Sequence, residues 1–223
     1  MKTRLFCTVL LTCLLLVLAS CHDHPTSPSS PTPEGPHVRG KVTNWLMGDT
    51  MVAVAQYQRY PYTSAESIYV FGTSAVAKDG SFYVPLSLPP KEALDVYLDN
   101  SNTPNDTAAN FVQVYGLALR NPDRSYSQRF LLNASVPYDT FYSDSSKPGD
   151  FLASLVYVDR DVEITGSYQL GNPSTGGWIQ YHNHLECKKG WNRIVNTIVS
   201  NQAHQIAVEA TILNTETGNW YVE

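Results

Sequence analysis

The chain has 223 residues, 43% of them hydrophobic and 16% charged, so its apolar content is too high for a chain that is disordered throughout. Its formal net charge is −5, which excludes the strongly basic balance typical of nucleic-acid-binding proteins. Fourteen Pro, 13 Gly and 14 Tyr against three Met favour a turn-rich, all-β protein.

The first twenty residues have the pattern of a secretory signal. Lys2 and Arg4 precede an uncharged stretch, residues 5–19, that is shorter than the about 20 residues of a transmembrane helix. The stretch runs into Leu18-Ala19-Ser20-Cys21, which resembles the lipobox of bacterial lipoproteins. That resemblance implies that residues 1–20 are removed as a signal peptide and that Cys21 carries a thioether-linked diacylglycerol. With a further acyl chain such as palmitate, this lipid would anchor the protein stably to a membrane.

Residues 21–37 are predicted to be a tether between the lipidated Cys21 and the folded domain. From His22 onward the segment contains five Pro and no large apolar residue, so it cannot bury a core. At about 3.1 Å per residue an extended spacer of this length reaches roughly 50 Å. His22 stands after the Cys, where bacterial lipoproteins retained in the inner membrane carry Asp, so the resemblance favours the outer membrane of the cell envelope.

From Val38 to the end of the chain, short β-rich runs alternate with turn signals, a pattern typical of a β-sandwich or barrel. The predicted strands cover 38–44, 51–57, 67–73, 81–87, 94–99, 111–119, 128–136, 152–158, 161–168, 178–187, 191–199, 205–213 and 219–222. The run 191–199 also has apolar residues at helical spacing, but its β-branched residues favour a strand. A helical turn after Pro89-Pro90 is an alternative start for residues 91–98.

Two parts of this domain, residues 38–223, resemble known groups. Val38-Arg39-Gly40-Lys41-Val42 and the turn Lys78-Asp79-Gly80-Ser81-Phe82-Tyr83-Val84 resemble transthyretin-like and carboxypeptidase-regulatory β-sandwiches of exported proteins. Leu155-Val-Tyr-Val-Asp-Arg-Asp161 and Lys189-Gly190-Trp191-Asn192 resemble an uncharacterised group of bacterial envelope lipoproteins. Together these resemblances imply an Ig-like or transthyretin-like sandwich elaborated with extra strands. Two small packed sandwiches, divided near residues 100–110, are the alternative.

The segment 178–187 contains the clearest candidate metal ligands. In a strand His182, His184 and Glu186 share one face, with apolar residues on the other. Two imidazoles about 7 Å apart and a carboxylate are the ligand types of a catalytic zinc site with an open position. Two exposed imidazoles on a wet sheet face are the simpler interpretation, because no His-Glu-x-x-His or Cys-x-x-Cys motif accompanies them.

Aromatic side chains crowd the segment after the second predicted strand. Tyr57, Tyr60 and Tyr62 surround Arg59, and such rings suit a sugar or a protein partner. No Gly-x-Ser-x-Gly motif accompanies them. The favoured function is therefore a lipid-anchored, non-catalytic module that binds or scaffolds a glycan or another protein at the cell envelope. A zinc-dependent hydrolase or metal carrier built on His182 and His184 is the alternative.

Overall fold

The fold is taken from a computed structural model, which describes residues 35–58, 68–96, 102–121, 123, 125–172, 176–202, 204–215 and 218–223. The predicted signal peptide, Cys21 and most of the tether lie outside these residues. So do Arg59, Tyr60 and Tyr62.

The described residues contain fifteen strands and two short helical segments. The strands are β1 (His37–Lys41), β2 (Val52–Gln58), β3 (Ile68–Ala75), β4 (Ser81–Pro85), β5 (Asp95–Val96), β6 (Asn102–Pro104), β7 (Asn110–Val114), β8 (Leu117–Arg120), β9 (Tyr126–Ala134), β10 (Phe151–Val158), β11 (Val162–Gly171), β12 (Trp178–Cys187), β13 (Gly190–Gln202), β14 (Gln205–Ile212) and β15 (Asn219–Val222). A 3₁₀ turn covers Lys91–Ala93, and the helix α1 covers Tyr138–Phe141. Within the described part of the chain, no helix is both long and apolar enough to cross a membrane.

The all-β prediction is confirmed, and the fold is an all-β sandwich. The boundaries predicted for 178–187 and 219–222 agree with β12 and β15, and the ambiguous run 191–199 lies within strand β13. The prediction of one strand over 111–119 is wrong, because the chain breaks at Tyr115-Gly116 and forms β7 and β8. The sequence reasoning also missed β6 and α1.

A large sheet of thirteen strands runs through most of the described chain. Its main path is β3-β2-β8-β9-β10-β13-β14-β12-β11-β6, with β15 on β9 and with β5 and β7 reached through β10. Its neighbours pair antiparallel except β12 and β14, which run parallel. A second, two-stranded sheet is formed by β1 and β4.

Three groups of buried side chains hold these layers together. The largest lies between the β1–β4 sheet and the first half of the large sheet, where Val38, Val84, Phe71 and Leu119 are almost fully buried. A second group, which includes Phe111, Val158 and Leu185, covers one face of β10–β12. The third is centred on Phe141 of α1 and includes Ile198 and Val208. Apolar residues alternate along most of these strands because successive side chains point to opposite faces.

Candidate binding groove

A split in the large sheet creates a concave surface. β10 pairs with β9 at Leu152 and Ala153, but from Leu155 onward it pairs with β7 on the same side. Ser154 therefore lies at the point where β10 changes partners. Since two strands cannot occupy one position beside β10, β7 and β9 separate there and leave an opening.

The break at Tyr115-Gly116 produces this split. A Cβ atom at Gly116 would lie 2.5 Å from Leu132 Cδ2 and 2.9 Å from the Leu131 carbonyl oxygen of β9. The residue that precedes β8 must therefore be Gly for the chain to pass so close to β9. The preceding Tyr115 keeps 71% of its surface exposed at the opening.

The opening continues into a groove with a volume of about 680 Å³, which is within the range of ligand-binding sites. Its walls come from the start of the described chain, the β7–β8 turn, β9, β10, the start of β13 and the segment after β14. The residues that line the groove include His37, Arg39, Lys41, Tyr115, Asn133, Ser154, Trp191, Arg193 and Thr215.

Arg193 is held at one wall of the groove by several oxygens. Its guanidinium donates to the Asn133 side-chain oxygen and, at 3.1 Å, to the Thr215 carbonyl oxygen. The guanidinium carbon also lies 5.7 Å from the centre of the Phe151 ring. Asn133 is 7% exposed and donates to the Asn219 carbonyl oxygen at 3.1 Å. These contacts fix the side chain in one orientation, which lowers the entropy that a ligand would have to remove.

Trp191 gives the groove a rigid aromatic wall. Its indole N–H donates to the Ser87 carbonyl oxygen at 3.0 Å, and its ring packs against Phe71 and Tyr157 with centroid distances of 5.4 and 5.6 Å. The ring is only partly buried and lines the groove. Together with exposed Tyr115, it offers flat apolar surface beside polar groups, as sugar-binding and peptide-binding sites do.

A row of nitrogen-containing side chains follows the outward face of β1. His37, Arg39 and Lys41 alternate with the inward-facing Val38 and Gly40, and all three line the groove. Lys41 Nζ lies 3.1 Å from Asp79 Oδ2, with both side chains largely exposed. Among the described residues that line the groove, none is Asp or Glu.

The structure places the candidate zinc ligands on the solvent-exposed face of β12, as the alternation predicts. His182 and His184 are exposed, whereas Ile179, Tyr181, Leu185 and Cys187 are buried.

The two imidazoles have different partners. His182 Nδ1 lies 2.9 Å from Ser167 Oγ, while His184 lies between Glu163 and Glu186, at 3.7 and 3.5 Å. Within the described part of the chain, no three His, Cys, Asp or Glu side chains are grouped to hold a metal ion. The zinc alternative therefore stays a prediction.

The acidic turn after β10 uses its carboxylates in local contacts. Asp159 accepts hydrogen bonds from Asn110 Nδ2 at 2.7 Å and from Arg160 Nε at 3.0 Å. Burial raises the pKa of Asp159, but the hydrogen bonds outweigh it and lower that pKa to about 2. Asp161 accepts from the Lys189 backbone and from Lys188 Nζ. These carboxylates stabilise the turn.

Tyr57 and Cys187 both lie in packed surroundings. Tyr57 is half-buried against the largest core, and its hydroxyl donates to Asp95 Oδ2 at 2.8 Å. The remaining members of the aromatic group, Arg59, Tyr60 and Tyr62, lie outside the described residues, so their binding role stays a prediction. Cys187 is buried, and burial raises the pKa of its thiol to about 11, which makes it a poor nucleophile.

Fold and groove together define an all-β sandwich with a preformed cleft at a split in its sheet. No protein family, curated protein or solved structure gives a match to this chain.

Proposed function

We propose that this protein is a lipid-anchored binding module of the bacterial cell envelope, which holds its ligand without catalysing a reaction. The observation that carries the proposal is the groove beside β10, where aromatic and polar side chains meet in a volume suited to a ligand. An envelope glycan is the favoured partner, because Tyr115 and Trp191 offer ring faces on which sugars pack.

The fixed geometry of the groove suits binding rather than a chemical step. Arg193 is immobilised by Asn133 and Thr215, and Trp191 is fixed by the Ser87 carbonyl oxygen. Preorganised walls of this kind increase affinity by reducing the ordering that binding requires. A tether ending at the folded domain would let the groove search the space above a membrane.

The anchoring part of the proposal depends on Cys21. We expect Cys21→Ala to move the protein from the membrane fraction to the soluble fraction, because the lipid would have no attachment point. Fractionation and labelling with a palmitate analogue test this in the producing cell, with Cys187→Ala as the matched control. Continued labelling and membrane recovery of the Cys21→Ala variant would contradict lipid attachment at this residue.

The binding part of the proposal depends on the groove. We expect envelope glycan fragments to change the fluorescence of Trp191, and Tyr115→Ala to weaken their binding about tenfold by removing one ring face. Tyr115 is 71% exposed, so its replacement should leave the melting temperature nearly unchanged.

Tyr138→Ala is the matched control for this test, because Tyr138 is also an exposed tyrosine and does not line the groove. Its affinity should equal that of the unmodified protein. Equal binding by the Tyr115 and Tyr138 variants, or no binding by any envelope glycan, would contradict the proposed site.

A further inference from the structure

We infer that the groove recognises a glycan built from N-acetylated amino sugars, through a buried hydrogen-bond donor, the indole N–H of Trp220. This inference rests on the proposed function and names the class of sugar. Trp220 lines the groove and is only 9% exposed. Among the described residues, no oxygen accepts a hydrogen bond from its Nε1 atom. An acceptor atom on a ligand in the groove would complete the contacts of this side chain.

The other three tryptophan N–H groups of the chain differ from that of Trp220. Trp45 Nε1 donates to the Gly48 carbonyl oxygen at 2.5 Å, and Trp191 Nε1 donates to the Ser87 carbonyl oxygen at 3.0 Å. Trp178 is 52% exposed, so it can donate to water. A buried donor without an acceptor costs free energy, and a ligand that supplies the acceptor removes that cost. Trp220 therefore favours a ligand with a suitably placed oxygen over one without it.

Trp220 lies on the floor of the groove. It is opposite Asn133 of β9, and Asn133 is opposite Ala153 of β10, so these three lining residues share one face of three adjacent strands. The indole packs edge-on against Phe82, with the ring centroids 5.0 Å apart. A Cβ atom at Gly40 of β1 would overlap Trp220 Nε1 and Cδ1. Since Gly40 also lines the groove, glycine at this position leaves the N–H edge of the indole uncovered.

The surroundings of this donor favour a carbonyl acceptor over a hydroxyl. A hydroxyl oxygen that accepts the N–H brings its own proton to the floor of the groove. The side-chain oxygens of Asn133 and Asn214 there already accept hydrogen bonds from Arg193. A carbonyl oxygen only accepts, so it needs no further partner at the floor.

An acetamido group supplies such a carbonyl together with a methyl group. Its own N–H points away from the carbonyl oxygen, toward the sugar ring and the open side of the groove. Ala153 and Leu155 give the lining apolar surface on which the methyl group can pack. A sugar is favoured over a peptide amide, because the ring faces of Tyr115 and Trp191 suit pyranose rings.

The test compares two glycans that differ in this one group. Chitotetraose is a linear oligomer of N-acetylglucosamine, and cellotetraose has the same backbone with a hydroxyl in place of each acetamido group. Both would be titrated into the full-length protein in neutral detergent, with N-acetyl-tetraalanine amide as a peptide probe. We expect chitotetraose to bind about tenfold more tightly than cellotetraose, and the peptide to bind more weakly than chitotetraose.

Two matched variants assign the preference to the indole N–H. Trp220→Phe keeps an aromatic ring and removes the donor, so it should lose about tenfold in affinity for chitotetraose and little for cellotetraose. Trp45→Phe makes the same chemical change outside the groove and should bind as the unmodified protein does. Thermal melting of each variant reports whether the fold is retained.

A measurement on the unmodified protein does not depend on the folding of these variants. The indole N–H proton signal of Trp220 would be followed by NMR during both titrations. We expect chitotetraose to move it downfield and slow its exchange with water, because the N–H gains an acceptor, while the Trp45 signal stays constant.

The outcomes separate this inference from the proposed function. Equal affinity for the two glycans, still weakened by Tyr115→Ala, would overturn the acetamido preference and leave the binding groove standing. A preference for chitotetraose with the Trp220 signal unmoved would overturn the role of this donor. Peptide binding as tight as that of chitotetraose would assign the donor to a polypeptide ligand and overturn the sugar class. Failure of every glycan to bind would overturn both proposals.

Discussion

Replacing Phe141 by Ala should destabilise the protein by about 3–5 kcal/mol, the range for removing a buried aromatic ring. Phe141 has no exposed surface and packs against Ile179, Ile198 and Val208. It belongs to α1, a helix of four residues that is too short to be stable without such contacts. The loss would therefore include both the buried ring and the docking of α1 on the sheet.

Chemical denaturation of the Phe141→Ala variant measures this effect, and Tyr138→Ala is the control. Tyr138 lies on the same helix but is 41% exposed, so its replacement should cost about 1 kcal/mol or less. Because small domains are stable by only about 5–15 kcal/mol, the Phe141 variant should unfold at a much lower denaturant concentration. Equal losses for the two variants would show that α1 does not anchor the core.

Replacing Gly72 by Ala should be the second severe change, with an expected loss of about 3 kcal/mol from overpacking. A Cβ atom at Gly72 would lie 2.0 Å from the Pro85 carbonyl oxygen and 2.9 Å from Val84 Cγ1. Gly72 lies where β3 crosses β4, so relief of this clash must move the β1–β4 sheet away from the largest core. The obstacle is mainly backbone, which cannot rotate aside as a side chain can.

Gly171→Ala is the matched control for Gly72→Ala. Gly171 is also a strand residue, the last one of β11. A Cβ atom there would meet no atom within 4 Å. We expect the free energy of unfolding of the Gly171→Ala variant to change by no more than about 0.5 kcal/mol in either direction. A mild effect at Gly72, comparable with that at Gly171, would contradict the close packing of β3 on β4.

Local patterns were sufficient to predict strands with a regular alternation. β12 shows this best, because Ile179, Tyr181 and Leu185 alternate with His182 and His184, and the alternation specifies both the strand and its buried face. β13 was ambiguous by spacing, but its β-branched residues favoured the extended form that is observed. Burial in a sheet favours both alternation and β-branched residues. Both can therefore be recognised from neighbouring residues in the sequence.

The break between β7 and β8 was missed because its cause is not local. Residues 111–119 read as one apolar run, and only Gly116 marks an interruption. The reason for the glycine is the close approach of the Leu131 backbone in β9, a contact between strands that the residues around Gly116 do not reveal. For the same reason α1 was missed: a four-residue helix after Pro137 depends on the contacts of Phe141 rather than on its own propensity.

The groove itself could not be predicted from sequence, since its walls come from segments far apart in the chain. Arg39, Tyr115, Ser154, Arg193 and Thr215 come together only when β10 exchanges β9 for β7. A Tyr-Gly pair inside a β-rich run and an Arg inside the apolar run of β13 were the available signals. Neither one indicates the other without the topology of the sheet.

The most direct test of the central claim is to locate the ligand on the protein. Amide and side-chain NMR signals of Tyr115, Trp191 and Arg193 would be followed while an envelope glycan that binds is titrated. We expect saturable shifts centred on these groove residues, with the signals of His182 and His184, which are exposed on β12 and do not line the groove, unchanged. Shifts centred on the His182–His184 face, with the groove signals constant, would contradict it.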